Sequence, residues 1–247
     1  MKPAHLLTFA TMFALAAASQ AAVLDWTTVT WSGTSQSYNV DGVSGNDITV
    51  SYTNSAGISG AASSITSVNG ATDLRLTTSG MGTPLTNNFT LTITFIGTYA
   101  VGVKNVTFTL NDVDANLASG GFQDQISFSA LNGATPVSIT ATNSGATSVN
   151  SISPGSGVLS ANPVATGNTS TSSNPQGDVT ITTGSTAVTS ITFVWTNPNA
   201  SFRSTQWIGL GNINFTVIPE VASSAAALVL CGAFLAFGRR RIRHAAA

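Results

Sequence analysis

Apolar residues recur at every second position through the middle of this chain, and no other feature restricts its fold so strongly. Phe89, Leu91, Ile93 and Phe95 alternate with Thr90, Thr92 and Thr94, and Ile191, Phe193 and Trp195 flank Thr192 and Val194. Val106, Phe108 and Leu110 repeat the pattern, as do Ile126 with Phe128 and Val137 with Ile139 and Ala141. A strand sends successive side chains to opposite faces, so each run predicts a strand with one face in a core and one in water. Leu24–Trp31, Ile48–Tyr52, Leu74–Thr77, Val179–Thr183 and Trp207–Val217 add further candidates, about ten strands in all and no helix among them. Asp41-Gly42, Asn69-Gly70, Ser79-Gly80, Asn132-Gly133 and Gly184-Ser185 supply the turns between them. Short antiparallel connections and threonine-lined outer faces predict an all-β, antiparallel, jelly-roll-like β-sandwich.

Residues 142 to 178 break this pattern, being rich in Ser, Thr, Asn and Gly and interrupted by Pro154, Pro163 and Pro175. They predict a low-complexity loop, with 158–164 as a weak edge strand inside it. The β domain is expected to span residues 22–217.

The N-terminus has the layout of a secretory signal peptide: Lys2, an apolar run of 13 residues from Leu6 to Ala18, and small residues at Ser19-Gln20-Ala21. At about 1.5 Å per residue the run reaches only about 20 Å across a bilayer core about 30 Å thick. Signal peptidase is therefore expected to remove 1–21 and leave Ala22 as the mature N-terminus.

At the other end, Ile218-Pro219-Glu220-Val221 precedes the apolar stretch Ala222–Phe237, which leads into Gly238 and the cluster Arg239, Arg240, Arg241, Ile242 and Arg243. Residues 221–237 number 17, the lower limit for a transmembrane helix. The arginines would keep the chain end in the cytoplasm by the positive-inside rule, leaving Pro219 and Glu220 outside. No LPXTG-like sortase motif is present, and a glycolipid-anchor signal would not end in arginines. The tail of residues 218–247 resembles the PEP-CTERM sorting signal, with Pro219 and Glu220 in the Pro-Glu-Pro motif and Val221 at the second proline. The resemblance is confined to this tail and implies cleavage near Pro219 by an exosortase-like enzyme. A single span that stays uncut is the alternative. Together the two ends place the protein in the cell envelope or outside the cell, transiently anchored in the membrane.

Charged residues make up only 7% of the chain. Between Ala22 and Ile218 three basic residues (Arg75, Lys104, Arg203) face eight aspartates, an acidic balance that argues against nucleic acid as a partner. His5 and His244 are the only histidines, Cys231 the only cysteine and Glu220 the only glutamate, all in the end segments. The β domain thus lacks a histidine base, a thiol nucleophile and a His or Cys zinc site, and the chain reads as non-enzymatic. Paired aspartates could in principle serve glycoside hydrolysis, but nothing in the spacing sets their separation.

Two features suggest binding. Asp112, Asp114 and Asp124 flank the ends of successive strands, and alternate oxygen-bearing side chains can converge on one calcium ion, a hard cation taking 6 to 8 oxygens. The competing interpretation is an Asx-rich turn whose carboxylates accept from loop amides. Of the four tryptophans, Trp195 shares a face with Ile191 and Phe193 and reads as core. Trp26 and Trp31 point opposite ways if one strand carries both, and Phe202 and Trp207 flank a loop with Arg203.

Two function classes follow. The first is a structural or adhesive component of the envelope or extracellular matrix, sorted by its tail. The alternative is a carbohydrate-binding β-sandwich, calcium-stabilised if the aspartates hold a metal, with polysaccharide as its partner. An exposed ring beside polar groups would favour the second, and a surface uniformly covered in Thr and Ser the first.

Overall fold

The computed structural model describes residues 19–55, 58–68, 70–79, 87–115, 122–144, 150–154, 163–166, 177–198 and 205–219. Gln20–Ile218 make one compact unit; of the second unit, Met1–Ser19 with Pro219–Ala247, only Ser19 and Pro219 are described. The expected signal peptide before Ser19, Glu220, the span 221–237 and Arg239, Arg240 and Arg241 lie outside the described residues. Among those described, no helix is long and apolar enough to cross a membrane.

The alternating runs form strands that bury their apolar parity. In β6 (Asn88–Phe95) Phe89, Leu91, Ile93 and Phe95 are buried, and in β14 (Ser190–Thr196) Ile191, Phe193 and Trp195 are. β14 lies between β6 and β8 (Gln125–Asn132), so Phe193 stands opposite Leu91 and Phe128, and Trp195 opposite Phe89 and Ile126. Such cross-strand apolar pairs are the unit that stabilises a sheet. This sheet continues on one side through β3 (Ile48–Asn54) to β2 (Ser35–Tyr38), and on the other through β12 (Pro163–Thr166) to β11 (Ser151–Pro154), with β9 (Thr135–Val137) also on β8.

The second sheet runs β1 (Ala21–Leu24), β16 (Ile213–Val217), β7 (Val103–Asn111), β15 (Thr205–Leu210), β5 (Ala71–Ser79) and β4 (Ser59–Val68). β13 (Val179–Thr183) joins β7 to β10 (Ile139–Asn143). Every strand pairing among the described residues is antiparallel. The two sheets close on one apolar cluster, joined for example by the edge-to-face contact of Phe95 with Phe215 at 5.2 Å. The chain is therefore an all-β, two-sheet sandwich.

Several boundaries differ from expectation for local reasons. The predicted strand Leu24–Trp31 stops at Leu24, because Asp25 caps a turn: its Oδ1 accepts from the amide and hydroxyl of Thr27. Trp26 and Trp31 thus share no strand. The run Val137–Ala141 divides at Ser138, where the chain leaves one sheet for the other. The run Trp207–Val217 divides at Gly211-Asn212, where Trp26 enters, its indole Nε1 donating to the Gly211 carbonyl at 2.9 Å.

Residues 142–178 are not simply a loop. β11 and β12 form a hairpin within them that extends the first sheet from β8, with Pro154 opposite Pro163. Both prolines sit at strand termini, where a missing N–H costs little. Strands β2 and β4 also escaped the alternation, since Ser35–Tyr38 and Ser59–Val68 are dominated by small and polar residues. Among the described residues the one helical element is a 3-10 turn, Gly97–Tyr99. The expected cut after Ala21 falls at the first residue of β1 and would leave Ala22, Val23 and Leu24 paired with β16.

Candidate functional site

Carboxylate-to-amide hydrogen bonds tie the segment that carries the expected calcium ligands. β7 ends at Asn111, and Asp112 turns the chain with φ of 68°. The Asp112 amide donates to Asp178 Oδ1 at 3.4 Å, and the Asp114 amide to Asp124 Oδ2 at 3.2 Å. Asp124 also draws Trp195 Nε1 (2.9 Å) and Gln206 Nε2 (3.4 Å) to its Oδ1. Asp114 and Asp124 are thus brought together, while Asp112 is turned toward Asp178. Asp124 is 1% exposed. Burial pushes its carboxyl well above the usual carboxylate range, and the charge of Asp114 adds to the rise. Among the described residues no group of three or more His, Cys, Asp or Glu side chains is arranged to hold a metal ion. Asp124 and Asp178 accept from the amides of Asp114 and Asp112.

The tryptophans separate clearly. Trp26 and Trp195 are wholly buried, Trp31 is half-buried and stacks on Tyr52, and Trp207 is 48% exposed. In β15 the side chains of Gln206, Ile208 and Leu210 point into the core, so Trp207 stands on the outer face with Gly209. Phe202 and Arg203 lie outside the described residues.

Register supplies Trp207's neighbours. Thr77 of β5 is its cross-strand partner, and Arg75 on the same strand is opposite Gly209. Asn111 of β7 meets Gly209 from the other side. Asn111 Nδ2 donates to Asp73 Oδ2 at 2.5 Å, within a polar cluster that Asp178 adjoins. Burial raises both carboxyls above their ordinary values; the Asn111 amide opposes the rise at Asp73, and the Asp112 amide opposes it at Asp178. Arg75 Nε is buried and finds no hydrogen-bond partner among the described residues. Asp73 and Asn111 are themselves buried beneath this face, whereas Thr77 and Arg75 are half-buried. An indole face beside a hydroxyl and a guanidinium can cover the apolar face of a sugar ring and bond its hydroxyls.

Gly209 makes this cluster possible. A Cβ there would lie 2.3 Å from Asp73 Oδ2 and 2.9 Å from Val68 Cβ. Asp73 is short, buried and tied to Asn111, so it cannot easily withdraw. Gly209→Ala is expected to destabilise the protein by about 1–3 kcal/mol through overpacking. Urea unfolding of the variant checks this; an unchanged midpoint would refute it.

Sequence reasoning named Trp207 but did not place it outward, although its parity with Gly209 against Ile208 and Leu210 carried that information. Asp73, Arg75 and Asn111 were not connected to it, because they belong to other strands.

No protein-family model matches the chain, and no curated protein matches it. Among solved structures it is similar to TmCBM27, a carbohydrate-binding module described for specific mannan recognition, with TM-score 0.34 and 10% identity over 68% of this chain and 89% of that one. The expectation of a structural or adhesive envelope protein is corrected on this chain's own residues: Trp207 is an exposed ring beside polar side chains, the feature that favours the carbohydrate-binding alternative. The described residues include no histidine, cysteine or glutamate. At this level of similarity the comparison assigns no ligand and no site, and the functional reading rests on the residues of this chain.

Proposed function

We propose that the protein is an exported carbohydrate-binding β-sandwich that holds a polysaccharide chain against the outer face of the β5–β15–β7 sheet. The observation that carries this reading is Trp207, 48% exposed on a strand whose neighbouring side chains are buried. Its indole would stack on a sugar ring while Thr77 and Arg75 bond hydroxyls. Neutral sugars suit a domain with few charges. The jelly-roll-like form of the sandwich is supported by connectivity, since the chain passes repeatedly between the sheets: β1 in one, β2 and β3 in the other, β4 and β5 back again.

The test is affinity electrophoresis and titration calorimetry against soluble mannan, xylan, β-glucan and pectin. At least one polysaccharide should retard the protein. Trp207→Ala should weaken that binding about 30-fold, the equivalent of the roughly 2 kcal/mol typical of a central tryptophan. Equal binding by Trp207→Ala, or retardation by none of the four, overturns the proposal.

Export and the PEP-CTERM-like tail belong to the same proposal, because polysaccharide of the envelope or surroundings lies outside the cytoplasm. Supporting this are the layout of residues 1–21 and the order of Pro219-Glu220, apolar stretch and arginines. Mass spectrometry of native protein should find Ala22 at the N-terminus and a C-terminus near Pro219–Val221. Quantitative retention of 222–247 would favour the uncut span instead.

A further inference from the structure

Thr78 and Gln206 occupy directly opposed positions of β5 and β15, and their side chains share the inner face of the sheet. Opposed residues in an antiparallel pair hold their Cβ atoms about 4.5–5.5 Å apart. Thr78 is wholly buried and Gln206 is 4% exposed. Among the described residues neither Thr78 Oγ1 nor Gln206 Oε1 finds a hydrogen-bond partner. Buried polar atoms are nearly always bonded, so two unsatisfied oxygens on facing residues need a reason. The third member of the group is the buried Asp124, whose Oδ1 lies 3.4 Å from Gln206 Nε2. Trp195 Nε1 and the Asp114 amide fix that carboxyl from two sides. A buried hydroxyl thus stands at the position opposite a buried primary carboxamide, and that carboxamide is bonded to a buried carboxyl.

We infer that Thr78 and Gln206 join through an intramolecular ester, formed once in the folded chain with Asp124 as the proton carrier. The Thr78 Oγ lone pair attacks Gln206 Cδ and forms the new C–O bond. The Cδ–Nε2 bond then breaks, and its electron pair leaves with nitrogen. Asp124 delivers a proton to Nε2 as it departs, and the hydroxyl proton of Thr78 restores the carboxyl. One hydroxyl and one carboxamide yield one ester and one ammonia, with no change of oxidation state. Fixed opposition of the two side chains supplies the high effective concentration that a weak nucleophile needs. Exclusion of water protects the ester from hydrolysis. Burial favours the neutral acid form of Asp124, which suits a proton donor to the leaving nitrogen. The bond would tie β5 to β15 across the core, directly beneath the face that carries Trp207.

The test is mass spectrometry of the full chain as purified, with both termini mapped so that processing is separated from cross-linking. The expected mass is short by one ammonia, and a digest should contain a branched peptide joining the Thr78 segment to the Gln206 segment. Hydroxylamine should cleave that peptide into two. Thr78→Val should restore the full mass, and Asp124→Asn should slow the loss of ammonia during refolding. The unmodified chain decides the matter even if a variant fails to fold. Separate linear peptides carrying Thr78 and Gln206 at full mass would overturn the inference. So would an ammonia loss located at Asn132-Gly133 as a cyclic imide.

Discussion

Trp195→Ala is expected to lower the unfolding free energy by about 3–5 kcal/mol, the range for truncating a large buried aromatic. Trp195 is fully buried in the middle strand of its sheet, with Phe89 in edge contact at 6.0 Å and Ile126 opposite on β8. Its neighbours belong to paired strands that cannot collapse far into the space left. The substitution also removes the shortest hydrogen bond to Asp124 Oδ1, leaving Gln206 on that oxygen at 3.4 Å. At roughly 2–4 °C per kcal/mol for a domain of this size, the melting temperature should fall by about 6–20 °C. Trp195→Phe keeps most of the volume and loses the N–H, so it isolates the bond to Asp124 and should cost about 1–3 kcal/mol. Urea titrations of the two variants separate the contributions; a loss below about 1 kcal/mol for Trp195→Ala would contradict this account of the core.

Trp26→Ala should have an effect of similar size, about 3–5 kcal/mol, for a different reason. Trp26 follows β1 in a turn, yet it is wholly buried in the break between β15 and β16. Its Nε1 donates to the Gly211 carbonyl, its amide donates to Asn212 Oδ1 at 3.0 Å, and its ring meets Tyr38 edge-on at 5.9 Å. Truncation opens a cavity and strands a buried carbonyl. Trp26→Phe should recover the packing but not the bond. Trp207→Ala, with its ring on the surface, should change stability by no more than about 0.5 kcal/mol. A thermal unfolding series in which Trp207→Ala matched Trp26→Ala would contradict the assignment of Trp207 to the surface.

The strands with uninterrupted alternation were legible residue by residue. β6 and β14 carry an apolar side chain at every second position, and no other periodicity accommodates them. Where the local signal was thin, it failed. β4 offers only Ile65 and Val68 as large apolar residues, and β11 and β12 lie in a stretch whose composition reads as loop. Their strand character comes from pairing with β5 and β8, which composition does not report.

The candidate site shows the same division. Trp207's outward direction was written in the parity of β15, but its company was not: Thr77 and Arg75 come from β5, and Asn111 from β7. The aspartates of the 112–124 segment are suitable calcium ligands in sequence; in the fold Asp124 turns inward to Trp195 and Gln206, and Asp112 meets Asp178.

By itself, then, the sequence determined the all-β class, the buried parity of the strong strands and the layout of the two end segments. Each of these depends on residues within a few positions of one another, through strand pleat or continuous hydrophobicity. Only the tertiary structure decided which tryptophan faces water, which carboxylate is buried and which residues stand opposite one another. Those outcomes depend on register between strands that lie far apart in the chain, such as Thr78 and Gln206, and a local pattern holds no record of its partner.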